Sequence, residues 1–339
     1  MPADLEPIGT AMPNLRPIRL SRRAALGVLA GSVLWFGATG APAPLAAADT
    51  IRIGYQRSST LATLLKAEGE LEKALEGEGI TVTWHEFTSG LPLLEALNIG
   101  NVDFSADVAD TVPVFAKAAG AKLAYVAEEA PSPTAQAILV PEKSEITSVG
   151  QLKGRKVAVT KGAGSHYLLI AALAKAGLSA KDVTPAYLTP ADGRAAFATG
   201  SVDAYVTWDP FLASAQTQAG GRVLADGAGL ANYKRYYLTT EAYAKSHGRT
   251  LEILFARLKA KGEWVKANPK EAAEKLAALW KIDAAIVEMG NGRRSYRVGA
   301  VTREGLSEQQ KIADVFFAEK VLPKEIDASQ AAIWQPASQ

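Results

Sequence analysis

From Thr50 onward the chain alternates short apolar runs with stretches whose leucines and alanines recur at helical spacing. No other feature constrains the fold as much. IRIGY (residues 51–55) has the period of a strand, and Leu61, Leu64, Leu65, Leu71 and Leu75 behind it have that of a helix. ITVTWHEF alternates as a strand, and SGLPLLEALNIG reads as a short helix with Pro92 tolerated in its first turn and Gly100 at its end. VDFSA, DTVPVFAKAAG and KLAYVA complete a first series; AQAILV, KVAVT, VTPAYL, VDAYVTW and RVLA form a second, with helices between them. This alternation predicts an α/β fold of two mostly parallel sheets, each covered by helices on both faces. The last hundred residues read as helices, one pair broken at Asn268-Pro269, that pack on the outside of the sheets.

The N-terminal segment reads as an address. SRRAALG sets Ser21, Arg22 and Arg23 ahead of a modestly apolar stretch, residues 24–39, too short and glycine-rich for a good membrane span. APLAAADT follows, with Ala46 and Ala48 in the small-x-small pattern of a cleavage site. Residues 1–48 are therefore expected to be a twin-arginine signal peptide, although Ala25 stands where such signals often carry phenylalanine. An ordinary secretory signal is the alternative, and either one exports the protein to the periplasm.

Charge and cysteine content narrow the function. The segment takes four of the 37 basic and two of the 35 acidic residues with it, leaving 33 of each. A nucleic-acid-binding chain would keep a basic surplus. With no cysteine, a disulfide framework, a thiol nucleophile, cysteine-ligated metals and a lipid-anchored cysteine are all excluded.

Four loops place small or polar residues after a strand and before a helix: YQRSST, FTSG, ADVADT and TKGAGSH. Parallel sheets bind ligands at the carboxyl ends of their strands, where helix N-termini offer unpaired N–H groups and a positive dipole end. TKGAGSHYLL is no nucleotide loop. Tyr167 stands where a dinucleotide fingerprint needs its third glycine, and the lysine-serine pair of a phosphate loop is missing. Gly164, Ser165 and His166 suit a compact oxyanion; alternatively Ser165 caps the helix and the glycines make the turn.

IGYQRSSTLATLLKAEGELEK, LLEALNIGNVDF, VAVTKGAGSHYLLIAALAKAGL, YLTPADGRAAFATGSVDAYVTWDPF and KRYYLTT together resemble the periplasmic substrate-binding proteins of aliphatic sulfonate ABC transporters, relatives of taurine- and nitrate-binding proteins. The resemblance covers residues 51–334. It implies a type II periplasmic binding fold, with lobe 1 at residues 49–134 and 235–339, lobe 2 at residues 135–234, and a hinged cleft between them. It also implies a monomer that carries a small organic anion, needs no cofactor or metal, and works with an inner-membrane permease and its ATPase.

Carried over by position, the implied ligand site is Gln56, Ser58, Ser59 and Thr60 on the first loop and Ser89, Gly90 and Leu91 on the second. Asp110 and Thr111 fall on the third, Gly164, Ser165 and His166 on the fourth, and Trp208 and Asp209 on the fifth. Backbone N–H groups and hydroxyls would take the sulfonate oxygens, without a counter-charged arginine. The chain departs from the family pattern at Leu91, where relatives carry proline, at residues 106–110, and at Val112. Asp107 and Ala109 therefore bear on specificity, and taurine, nitrate, a sulfate ester or a thiamine-precursor pyrimidine are alternative ligands.

Other readings stand beside the implied roles. Asp209 before Pro210 also suits a helix N-cap, and Trp208 is either cleft wall or core. His166 and Arg57 either meet the ligand or stay solvated, and RRSYRV (residues 293–298) is expected to face solvent. An enzyme is the rival class, yet His85, His166 and His247 form no HExxH pattern, and no G-x-S-x-G elbow is present.

Overall fold

The computed structural model describes residues 49–336; the expected signal peptide lies outside them. Strand β1 (Asp49–Gln56) leads into α1 (Thr60–Glu68), which Gly69 ends in a left-handed turn at φ 62° before α2 (Glu70–Glu76). The first series continues as β2 (Ile80–Phe87), α3 (Gly90–Asn98), β3 (Phe104–Ala109), α4 (Val112–Ala118) and β4 (Leu123–Glu129). The second runs β5 (Gln136–Pro141), β6 (Lys156–Val159), α5 (Gly164–Lys175), β7 (Thr184–Tyr187), α6 (Pro190–Ala198), β8 (Ala204–Trp208), α7 (Phe211–Gln218) and β9 (Gly221–Asp226). The last segment holds β10 (Arg235–Thr240), α8 (Glu241–Ser246), α9 (Gly248–Ala267), α10 (Pro269–Trp280), α11 (Ala284–Arg293), β11 (Val298–Gly299), α12 (Ser307–Ala318) and β12 (Ala332–Ile333).

Two sheets result. One has the order β11-β4-β10-β3-β1-β2 with β12 also on β4, and the other β7-β6-β8-β5-β9. The α/β class stands, but the sheets are more mixed than the alternation predicts: β10 runs antiparallel to both β3 and β4, and β5 to both β8 and β9. The cause is where the chain crosses. Residues 130–135 leave the first sheet at the carboxyl end of β4, and residues 227–234 leave the second at the end of β9. Each crossing enters the next sheet from the same edge, so the strand that follows runs against its neighbours.

Apolar side chains fill both faces of each sheet. Ile51, Ile53 and Phe104 pack beneath Leu61 and Leu65 of α1 and Leu254, Leu258 and Leu276 of α9 and α10. In the second sheet Val157, Val159 and Val206 pack beneath Leu168 and Leu173 of α5. Helix α12 adds Ile312, Ala313 and Phe316 to that same cluster, together with Val114 and Ala118 of α4. Each such buried side chain contributes about 1.5–3 kcal/mol by leaving water, so α12 straps elements of the two sheets together.

Candidate functional site

The carboxyl ends of β1, β3 and β8, the loops after β2 and β6, and the first residue of β10 meet at a narrow cleft. The first sheet brings Gln56, then Ser89, Gly90 and Leu91 at the start of α3, and Ala109 and Val112 around the turn into α4. The second brings Thr160, Lys161, Ala163 and Gly164 at the start of α5, and Trp208 at the end of β8. Tyr233 and Arg235 arrive on the returning crossing.

The TKGAGSH turn owes its shape to two glycines. Gly162 sits at φ 73°, a left-handed conformation that β-carbon sterics disfavour. Gly164 lies so close to the Tyr233 ring that a β-carbon there would come within 2.6 Å of it. Tyr233 itself adopts φ 51°, a strained value for a bulky residue that aims its ring at the turn. Ala163, rather than Ser165, is the N-cap of α5, and no side chain caps the N-terminus of either α5 or α3. Their first-turn N–H groups therefore face the cleft without side-chain partners.

His166 holds this turn from behind. It is 2% exposed, and its Nδ1 accepts the Gly162 amide at 3.2 Å, which leaves the ring proton on Nε2. Burial, reinforced by Lys161, lowers its pKa to about 4, so it is neutral at ordinary pH.

The residues expected from sequence divide into two groups. Gln56, Ser89, Gly90, Leu91, Gly164 and Trp208 line the cleft; Ser58, Ser59, Thr60, Asp110, Thr111, Ser165, His166 and Asp209 lie behind the lining. Ser59 Oγ accepts the Gln56 amide at 3.1 Å, and Gln56 Nε2 donates to the Asp107 carbonyl at 2.9 Å, which fixes the first loop. Thr60 Oγ1 accepts from the Tyr296 hydroxyl at 2.9 Å. Asp110 Oδ2 accepts the Lys234 amide at 3.1 Å, and burial with Glu308 nearby pushes its pKa up to about 7. Thr111 and Ser165 are fully buried with hydroxyls unpartnered among the described residues. Pro210, rather than Asp209, is the N-cap of α7, but Asp209 Oδ1 accepts the first-turn Ala213 amide at 3.0 Å, while Arg293 Nη1 lies 3.0 and 3.2 Å from its two oxygens.

Sequence reasoning missed a buried charge cluster. RRSYRV faces solvent only in part: Arg297 is exposed, but Arg294 is 3% and Tyr296 1% exposed. Arg294 Nη2 donates to both oxygens of Glu129 at 2.7 Å and to Asp107 Oδ2 at 3.1 Å. Four buried ions drawn from distant parts of the chain, Asp107, Glu129, Arg235 and Arg294, thus neutralise one another, which is the only cheap way to bury them. Asp107 points at arginines rather than into the cleft. Arg235 was missed altogether, because an arginine opening an apolar run reads as an exposed strand end until its partners are known.

Two cleft residues carry buried donors with no hydrogen-bond acceptor among the described residues: Trp208, 5% exposed, at Nε1, and Arg235, 2% exposed, at Nη1 and Nε. Lys161 and Arg235 are the charged residues of the lining, which contains no carboxylate. Every one of these features favours a group that accepts hydrogen bonds and carries negative charge.

A family described as NMT1/THI5 like matches residues 75–272, more than half of the chain. The chain belongs to the NMT1/THI5-like family. Over a longer span that includes the matched one, this NMT1/THI5-like chain is 39% identical over 314 residues to a protein of Escherichia coli (strain K12) named for binding aliphatic sulfonates, covering 92% of this chain and 95% of that one. Its structure is similar to the alkanesulfonate-binding protein SsuA of Xanthomonas axonopodis pv. citri bound to MOPS, at TM-score 0.80 and 37% identity, over 85% of this chain and 99% of that one. The periplasmic aliphatic sulphonate binding protein SsuA of Escherichia coli gives TM-score 0.77 and 39% identity, over 85% and 98%.

Proposed function

We propose that this protein is the periplasmic substrate-binding component of an ABC importer, and that it captures an aliphatic sulfonate in the cleft and delivers it to a membrane permease driven by an ATPase. One observation carries the reading: the uncapped N-termini of α3 and α5, which belong to different sheets, open onto one cleft lined by cations and by no carboxylate. A sulfonate stays ionised throughout ordinary pH and offers three acceptor oxygens and no donor. It matches such a lining, and a cationic pyrimidine does not. Similarity to proteins named for sulfonate binding supports the same choice.

The mechanism is capture by closure. Residues 49–134 and 235–339 act as one lobe and residues 135–234 as the other, hinged at the two crossings. The anion bridges the lobes: Gln56, Ser89 and Gly90 hold it from one side and Gly164 and Trp208 from the other, while Leu91 and Val112 give the tail an apolar wall. Closure excludes water, so each hydrogen bond acts in a drier setting. The closed monomer is what the permease recognises, and export follows the twin-arginine route. No step of this is catalytic.

A thermal-shift screen of the purified protein tests the reading, with alkanesulfonates, taurine, aromatic sulfonates, sulfate, sulfate esters, nitrate and thiamine-related pyrimidines as probes. A ligand that binds only the folded state raises the melting temperature by mass action. Selective upward shifts with alkanesulfonates are expected. A shift confined to a pyrimidine or to nitrate would overturn the assignment.

A further inference from the structure

Among the described residues, Arg235 is the cleft-lining residue whose charge is committed to a specific partner while part of its donor set stays free. Its Nε lies 2.7 Å from Asp107 Oδ2, and its Nη2 donates to Ser58 Oγ at 3.3 Å. The guanidinium carbon sits 5.6 Å from the centre of the Tyr233 ring. Asp107 thus anchors the guanidinium from behind, Tyr233 flanks it, and the Nη1 hydrogens have no acceptor among the described residues. The Nε–H is not aligned on Asp107 either, so the contact there is one of charge more than of a directed hydrogen bond.

Resting on the sulfonate reading above, we propose that Arg235 reads the ligand's charge: it presents Nη1 to the anionic head and makes the cleft select a singly charged, acceptor-only oxyanion over a neutral molecule of the same shape. The charge count supports this. Asp107 and Glu129 neutralise Arg235 and Arg294 within the cluster, so a ligand charge is additional to a balanced set. Lys161, the other cation of the lining, is exposed to solvent, and the buried cation that meets the charge is the open guanidinium edge. A single negative charge is accommodated there. A dianion places a second charge in the same dry space with no further buried cation to meet it, and a protonated oxyanion brings a donor to a lining without a carboxylate. Asp107 is on this account a positioning residue, fixing where the guanidinium edge points.

The test compares butanesulfonate with butyl methyl sulfone, in which a methyl group replaces the charged oxygen, by calorimetry on the wild-type protein and on Arg235→Met and Arg235→Gln. Wild type is expected to prefer the sulfonate by about 100-fold or more, the range seen when a buried charge loses its partner. In both variants that preference should fall to within about threefold, chiefly through loss of sulfonate affinity; phosphonate dianions should bind none of the three proteins. Butanesulfonate binding retained in a folded variant to within about threefold overturns the proposal and leaves the sulfonate reading standing. A wild type that binds no sulfonate overturns both. Should neither variant keep a native melting transition, the arginine side-chain N–H resonances of wild type decide: butanesulfonate must shift one buried guanidinium that the sulfone leaves in place, and no such shift overturns the proposal.

Discussion

Arg293 on the last turn of α11 lies with Nη1 3.0 and 3.2 Å from the two carboxylate oxygens of Asp209, at the end of β8. The same side chain donates through Nη2 to Gln216 of α7 at 2.5 Å. The pair therefore ties a helix of the C-terminal segment to the second sheet, directly beside Trp208. Asp209 is 4% exposed, and burial pushes its pKa up to about 6 even against Arg293.

Arg293→Ala strands that buried carboxylate. The expected loss at pH 7.5 is about 2–3 kcal/mol, together with faster ligand release. The sign of the pH effect follows from the raised pKa. Asp209 takes up a proton in the folded state at a pH where the unfolded chain has already lost it, so acid relieves the unpaired charge. Urea denaturation should show a smaller deficit at pH 5 than at pH 7.5; a deficit that grows in acid would contradict the role given to this pair.

Asp110 makes a separate pH prediction. With its folded pKa pushed by burial up to about 7, well above the ordinary carboxylate range, it binds a proton in the folded state that the unfolded chain releases. Its contribution to stability is full below pH 4 and lost as pH rises through 7. Asp110→Asn keeps the acceptor for the Lys234 amide without the charge. The variant should gain on wild type by on the order of 2 kcal/mol between pH 5 and pH 8, read from melting curves at each pH.

Gly164→Ala probes the contact between α5 and the crossing. The added β-carbon would stand 2.6 Å from Tyr233, and overpacking of that kind costs about 1–3 kcal/mol. The ring has to move into or away from the cleft, so ligand affinity should drop by more than about tenfold while α5 itself, with alanine in a helical position, is unharmed. Unchanged affinity by calorimetry would remove Tyr233 from the site.

Glu129→Gln breaks the centre of the charge cluster. Glu129 accepts from both Arg294 and Tyr237, the latter at 2.8 Å. Both ions of the Arg294 pair are buried, and removal of one partner costs about 3–5 kcal/mol. Denaturant midpoints measure this, and a loss below about 1 kcal/mol would mean that Asp107 alone satisfies Arg294.

Local signals in the sequence established much of the fold and part of the site. Leu61 to Leu75 announce helices by their spacing, IRIGY and KVAVT announce buried strands, and the glycines of TKGAGSH announce a turn that exposes a helix N-terminus. These features depend on neighbours within a few residues, as do Ser89, Gly90 and Gly164, which reach the cleft because they begin helices. The antiparallel entry of β10, the burial of Arg294 and the place of Arg235 depend instead on partners more than a hundred residues away. Whether an arginine is solvated or held inside is decided by the presence of an opposing charge, and Asp107 and Glu129 meet Arg235 and Arg294 only once β3, β4 and β10 have paired. Hydrophobic period is written along the chain, whereas the compensation of buried charge exists only after the chain has brought its ends together.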